Sequence, residues 1–334
     1  MTHLVTGGGG FIGSHLTTRL LGLGEEVVVI DDLSGGWVEN IPQGAGFVEA
    51  DLVTADLDDL FDTWQPSRVW HLAAYAAEGL SHWVREHNVL NNWVASTRLI
   101  NASIRHDVER FVFTSSMAVY GSQEPPFTEA MRPMPEDPYG IAKFSVEQDL
   151  AAAGEVFGLP YTIFRPHNVY GPGQNIGDPY RNVVGIFMRQ ALMGAPLTVF
   201  GDGAQTRAFS YISDIVDPMI RPPDGTFNIG GDQVVTILQL AEMVQSLFPG
   251  SVIEHLPERY EVKHAFCDHT AAREQLGFRP RVRFEAGLER MAEWVRVTGV
   301  KWSIPPRVEV ETGLPTFWRS HAHLASEIRL QEVR

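Results

Sequence analysis

Tyr139 and Lys143 stand four residues apart, and Pro138 before them suits a first helical turn, so both side chains fall on one helix face. Only three lysines occur, Lys143, Lys263 and Lys301, so this spacing from one of eight tyrosines is not a common accident. An ammonium beside a phenol favours the phenolate and brings the phenol closer to serving as a base. Ser116 lies at the end of a strand-like run, residues 110–114, where its hydroxyl can hydrogen-bond the same oxygen that Tyr139 deprotonates. These groups meet only if a fold carries them to one place.

The elements that must do so begin at the first residues. A short apolar run, Leu4-Val5-Thr6, enters four glycines, Gly7 to Gly10, and leaves with helical spacing at Phe11, Ile12, Leu16 and Leu20. A Cβ at Gly7, Gly10 or Gly13 would block the turn, the approach of a pyrophosphate, or helix–strand packing. Residues 26–30 read as a second strand ending in Asp31 and Asp32. An acid about twenty residues past such glycines binds both hydroxyls of an adenosine ribose and repels a 2′-phosphate, so the predicted cofactor is NAD rather than NADP. Its positive nicotinamide ring would also favour a Tyr139 phenolate.

Further strand patterns at 46–50, 68–72, 110–114 and 161–165 alternate with helical ones, the longest predicted over 81–105. The fold class that follows is α/β, a Rossmann-like doubly wound parallel sheet with ligands at the carboxyl ends of its strands. After Pro166 an irregular stretch, 167–182, leads to helices expected at 183–193, 236–248 and 285–297 and strands at 197–200, 209–212 and 251–254. We expect an NAD-binding domain over 1–166 with about 208–232, a smaller C-terminal α/β substrate lobe over 167–207 and 233–300, and a tail over 301–334. The tail's Trp302, Phe317 and Trp318 predict that it packs on something.

With a net charge of −15, nucleic acid and anionic membrane are poor partners. One cysteine, Cys267, excludes a disulfide framework, and no apolar run reaches membrane-spanning length, so a cytoplasmic enzyme is expected. Twelve scattered histidines, His321 and His323 of the tail included, offer no metal site, and none is expected.

Together these motifs resemble the NAD-dependent sugar-nucleotide epimerase/dehydratase family of extended short-chain dehydrogenases/reductases. The resemblance runs from residue 2 to about 297 and rests on Gly7-x-x-Gly10-x-x-Gly13, Asp31, Asp51-Leu52, His71-Leu72-Ala73-Ala74 and Asn91-Asn92. Further on it rests on Ser115-Ser116-Met117-Ala118-Val119-Tyr120-Gly121, Tyr139-x-x-x-Lys143, Arg165 to Gly173, and Gly201-Asp202-Gly203-x-Gln205-x-Arg207. It implies a UDP-sugar substrate and a homodimer formed through the helices around 82–105 and 138–157. It places Gly7, Gly10, Phe11, Ile12 and Gly13 under the NAD pyrophosphate, Asp31 and Asp32 at the ribose, and Asp51 and Leu52 at the adenine. Leu72, Ala73, Ala74, Asn92, Thr114 and Pro166 follow along the cofactor path. Tyr139 becomes the base, Lys143 its partner and a ligand of the nicotinamide ribose, and Ser116 the partner of the substrate hydroxyl. Met117 and Asn168 touch the substrate, with Arg207 and Arg259 clamping its diphosphate.

Dehydratases of the family carry an acidic pair where this chain has Met117 and Ala118, so elimination is not expected. The predicted reaction is inversion at C4 of a UDP-hexose or UDP-hexuronate: Tyr139 takes the 4-hydroxyl proton, NAD takes the hydride, and the 4-keto sugar turns over before the hydride returns. Ala265, small where UDP-glucose enzymes can carry a large gatekeeper, leaves room for an acetamido group. Arg181, with Asn175 and His167 nearby, is expected to receive a C6 carboxylate if the substrate is UDP-glucuronate. UDP-N-acetylglucosamine, or oxidation or decarboxylation of a sugar nucleotide, are the alternatives; a silent NAD-binding scaffold does not fit an intact Tyr139, Lys143 and Ser116.

Overall fold

The computed structural model describes residues 1–259 and 261–319, so His321, His323 and the remainder of the tail lie outside the described residues. Seven strands form one parallel sheet: β1 (Thr2–Thr6), β2 (Glu26–Asp31), β3 (Gly46–Glu49), β4 (Arg68–His71), β5 (Arg110–Thr114), β6 (Tyr161–Pro166) and β7 (Gly225–Ile229). Their order is β7-β6-β5-β4-β1-β2-β3, a Rossmann-like doubly wound sheet. The winding reverses between β1 and β4, which pair in register with Thr6 opposite His71. Apart from the half-exposed edge strand β3, these strands are buried runs rich in Val, Ile, Phe and Trp, and the crevice at the reversal is where such sheets bind ligands.

Strand ends set the site. Thr6 Oγ1 meets His71 Nδ1 at 2.7 Å, and His71 Nε2 meets Ser96 Oγ at 2.7 Å, tying β1 to β4 and to the next helix. Burial keeps that histidine neutral, with its pKa lowered to about 3. Beyond β6 the chain builds a lobe in which Leu197–Phe200 pairs with Ile253–Leu256 and Thr206–Ala208 lies between Val234–Thr236 and His264–Ala265. One apolar core joins this lobe to the sheet, running from Val5 and Trp70 through Phe187 and Leu240 to Val295.

Several expected boundaries shift. The helix predicted over 81–105 is divided: a 3₁₀ segment (Glu78–Trp83), a short α-helix (Arg85–Val89), a π turn (Leu90–Val94) and then Ala95–Arg105. The cause is distant in sequence. Glu309 accepts from the amides of Glu86 and His87, both at 2.8 Å, and its own amide bonds the Trp83 carbonyl at 2.8 Å, so the helix starts late. The strand expected over 209–212 is only Ser210–Tyr211, with a helix taking over at Ile212. That at 251–254 forms two residues later, as Ile253–Leu256.

Tail residues 301–319 form a strap. Leu314 and Trp318 join Tyr75, Ala77, Leu80, Val84 and Tyr180 in a small separate core. Trp318 packs edge-on against both Trp83 and Tyr180, at 5.6 and 5.4 Å, and Trp83 Nε1 donates to the Thr312 carbonyl.

Candidate active site

Along the carboxyl ends of the strands runs a cavity of about 1140 Å³, beyond the roughly 300–1,000 Å³ of a single-ligand pocket. At one end the helix Phe11–Leu21 starts from Gly10 in extended conformation with no side chain capping it, so its first amides are left for an anion. The turn tolerates no side chains. Gly7 has φ +73°, and a Cβ there would sit 2.7 Å from the Ala73 amide nitrogen; one on Gly13 would sit 2.2 Å from the Gly7 carbonyl oxygen. Asp31 is held by the Gly9 and Leu33 amides, at 2.9 and 2.8 Å, one on each carboxylate oxygen, leaving lone pairs for a ribose. Burial raises its pKa against the pull of those bonds. Asp32 is exposed and folded back onto Ser34.

Gly7, Gly10, Phe11, Ile12, Gly13, Asp31, Asp32, Asp51 and Leu52 all line this cavity, as do Leu72, Ala73, Ala74, Thr114 and Pro166. Asn92 does not. It is buried behind the wall, where its amide oxygen accepts from the Tyr75 amide and its nitrogen donates to the Tyr75 carbonyl and to Asn88. It shapes the cofactor path by holding the Tyr75 backbone rather than by facing a ligand.

The helix Pro138–Phe157 brings Tyr139 and Lys143 to the middle of the cavity, with Asp137 as its N-cap accepting from the Gly140 amide at 2.9 Å. Ser116, past the end of β5, faces the same space, accepts from the Ala118 amide at 3.1 Å and favours the ionised form of Tyr139. Lys143 Nζ donates to the Thr114 carbonyl at 2.8 Å and lies over the Phe113 and Tyr139 rings. Burial lowers the Lys143 pKa to about 7. Burial also raises that of Tyr139; Ser116 and Arg181 pull it down, while Glu78 and Asp137 push it up. Lys143 does not figure among the main influences on Tyr139, since a lysine lowered to about 7 is neutral at the pH where this raised phenol titrates. A buried fork sets this helix in place: Arg165 donates to both oxygens of Glu147, at 2.9 and 2.5 Å, and to the Tyr120 hydroxyl.

At the far end Asn168, Arg207 and Arg259 line the cavity. Asn168 takes φ +43° and donates to the Ala208 carbonyl. Arg207 is anchored on the carbonyls of Thr206, Val262 and Lys263, and Arg259 pairs with Glu261 at 3.1 Å and stacks between Phe200 and Trp318. The Arg259 Nε is buried without a partner among the described residues, a donor aimed at something else. Met117 and Ala118 line the wall beside Ser116, and Ala265 lies next to Arg207 in the lobe's sheet.

The group expected to receive a uronate is only partly assembled. Arg181 lines the cavity but bonds Asp178 at 3.0 Å and lies against Gly35. Asn175 spends its amide nitrogen on the Gly35 carbonyl and Ser303. His167 turns away altogether, its ring stacked on His269 with the two Nε2 atoms 2.9 Å apart. The stretch 167–182 is close in sequence, but its turns send these side chains to different faces.

Two features were missing from the sequence reading. Glu78 and Asp137 both line the cavity near Tyr139. Asp137-Pro138 carries a legible helix-start signal, whereas nothing local marks Glu78. The tail is the other: Ile304, Pro306, Gly313 and Pro315 to Trp318 form the cavity's roof.

The uncapped helix start, the glycine cradle and the orphaned Thr114 hydroxyl all fit a bound dinucleotide. With Asp31 at the ribose end and a Tyr–Lys pair beyond, the fold and site are those of an NAD-dependent enzyme. The NAD dependent epimerase/dehydratase family matches residues 3–230, and the chain belongs to it. A UDP-glucose 4-epimerase of Mycolicibacterium smegmatis is 35% identical over 312 residues, covering 89% of this chain and 99% of that protein. A UDP-N-acetyl-alpha-D-glucosaminuronate decarboxylase of Bacillus cytotoxicus is 31% identical over 316 residues, covering 88% and 97%. The solved UDP-glucose 4-epimerase of Thermotoga maritima, crystallised with UDP-glucose, matches with a TM-score of 0.85 at 35% identity, over 89% of this chain and 99% of that one. The relatives thus include epimerases and decarboxylases, and are covered almost end to end while about a tenth of this chain is left over.

Proposed function

We propose that this chain is a UDP-sugar 4-epimerase. The observation that carries the reading is Tyr139 with Ser116 and Lys143 in one cavity, next to Met117 and Ala118, which supply no carboxylate for elimination. Bound NAD supplies a reversible hydride acceptor, through which C4 passes as a ketone that can be re-reduced from its other face. Tyr139 removes and returns the C4 hydroxyl proton, Ser116 holds that oxygen in line, and Lys143 orders the base and the nicotinamide ribose. Arg207, Arg259 and Asn168 grip the diphosphate, so the sugar alone is free to turn between the two half-reactions.

A homodimer and a cytoplasmic location belong to the same reading. Val89, Leu90 and Trp93 are exposed on one helical stretch and Ile141 on the helix packed beside it, an apolar face suited to a second copy. No helix among the described residues is long and apolar enough to cross a membrane, and Cys267 is buried and unpaired. The test of the reaction is product analysis by mass spectrometry and NMR, with UDP-sugars and no added NAD. The C4 epimer should accumulate to equilibrium with constant nicotinamide absorbance. Net formation of NADH, or loss of carbon dioxide, would assign the chain to the oxidoreductase or decarboxylase alternative.

A further inference from the structure

A sugar joined to a diphosphate must span from Arg207 and Arg259 to Tyr139, and one side chain senses both ends of that span. Glu78 begins the 3₁₀ segment after β4 and lines the same cavity. Its loop touches both ends: Gly79, next to it, lies against Trp318, whose ring meets Arg259, and Ser81 bonds Asp137, the N-cap of the helix that carries Tyr139. Arg207 and Arg259 favour its ionised form, Asp137 and Glu261 oppose it, and it acts in turn on Tyr139, as suits a group alongside the sugar's path. The backbone under it is fixed: Ser81 Oγ donates to the Glu78 carbonyl at 2.7 Å and reaches Asp137 at 3.3 Å, and Gly79 backs onto the Trp318 ring. Yet no described residue hydrogen-bonds the Glu78 carboxylate, which stays accessible from the cavity.

The groups that would welcome a second negative charge are occupied elsewhere. Arg181 is paired with Asp178, Asn175 with Gly35 and Ser303, and His167 faces His269. Met117 and Ala118 add no side-chain hydrogen-bond donor to the wall beside Ser116. A carboxylate that lines the cavity with no described donor on it favours a ligand that brings hydroxyl groups and penalises one that brings a carboxylate.

We propose that Glu78 is a specificity-determining residue that accepts hydrogen bonds from the hydroxyls of an uncharged UDP-hexose and excludes a UDP-hexuronate. The inference rests on the nucleotide-sugar reading above and narrows it to a substrate class.

The test is steady-state kinetics of the holoenzyme with UDP-glucose, UDP-N-acetylglucosamine and UDP-glucuronate, for wild type, Glu78→Gln and Glu78→Asp, with bound NAD and circular dichroism verified for each. Wild type should prefer an uncharged sugar by at least about tenfold in kcat/KM at pH 8, where the Glu78 carboxylate is ionised and repels a second carboxylate. Glu78→Gln should reduce that preference about tenfold or more, chiefly through a lower KM for UDP-glucuronate, and Glu78→Asp should largely keep it. A wild-type preference for the uronate, or a ratio unchanged in a folded, NAD-loaded Glu78→Gln, would overturn the assignment of Glu78 while leaving the epimerase reading in place. No turnover of any of the three sugars by NAD-loaded wild type would instead remove the epimerase reading, and this inference with it.

Discussion

The floor and the roof of the cavity are built in opposite ways. The floor, from Gly7 to Gly13 with Asp31, is local: backbone packs on backbone, and a single Cβ has nowhere to go. The roof, from Ile304 to Trp318, is assembled from partners more than a hundred residues away: Trp83, Glu86 and Tyr180. Steric exclusion makes the floor intolerant, whereas the roof rests on a small satellite core and a few hydrogen bonds that can open without unfolding the sheet. The cofactor end is thus set by backbone sterics that allow no side chain, whereas the tail over the cavity rests on a small core and a few side-chain bonds.

The sharpest test of the floor is Gly13→Val, whose Cβ collides with the Gly7 carbonyl. The protein should purify without nucleotide and lose activity below detection, measured by release of NAD on denaturation; retained nucleotide would show the turn to be softer than the geometry implies. Next is Tyr139→Phe, which should cost about 10²- to 10⁴-fold in kcat while bound NAD is unchanged. Because it leaves both floor and roof intact, an effect on KM alone would break the assignment of Tyr139 as base.

The roof predicts a different signature. Trp318→Ala removes the ring that packs on Trp83, Tyr180 and Arg259, and should raise KM for the UDP-sugar about tenfold with kcat and NAD content little changed. If NAD content falls instead, floor and roof are one cooperative unit. Smaller still is Glu309→Gln, which weakens the cap on Glu86 and His87. A loss of about 1 kcal/mol should lower the melting temperature by about 1–2 °C.

A pH series adds a last, slight effect at the wall between them. Burial and like charge raise the Glu78 pKa to about 7 from an unfolded value of 4.5. The folded state therefore holds its proton more tightly, so this group's contribution falls as pH rises from about 4.5 through 7. Glu78→Gln should raise the melting temperature relative to wild type at pH 8 and leave it nearly unchanged at pH 4.5, and the opposite trend would show the carboxylate to be stabilised in the fold.

What was legible in the chain follows the same division. Gly7, Gly13, Asp31, Tyr139 and Lys143 could be read because each acts through spacing of at most some twenty-odd residues. The doubly wound sheet was legible for the same reason, since each strand is a short apolar run bounded by polar residues. The late start of the helix predicted over 81–105 was not, since its apolar period continues and the Glu309 carboxylate that takes the Glu86 and His87 amides lies over two hundred residues on. Asn92 and His167 carried family-like neighbours, but the direction a buried side chain takes depends on which hydrogen-bond partners the fold offers.

The sequence by itself determined a dinucleotide cradle, a tyrosine base with its lysine, and the absence of acids at 117 and 118, because backbone sterics and helical periodicity are properties of neighbouring residues. Only the tertiary structure decided that Glu78 stands between clamp and base, that Arg181 is paired with Asp178, and that the tail closes the cavity. Charges and rings act through space, and the distances that set their energies exist only once the chain has folded.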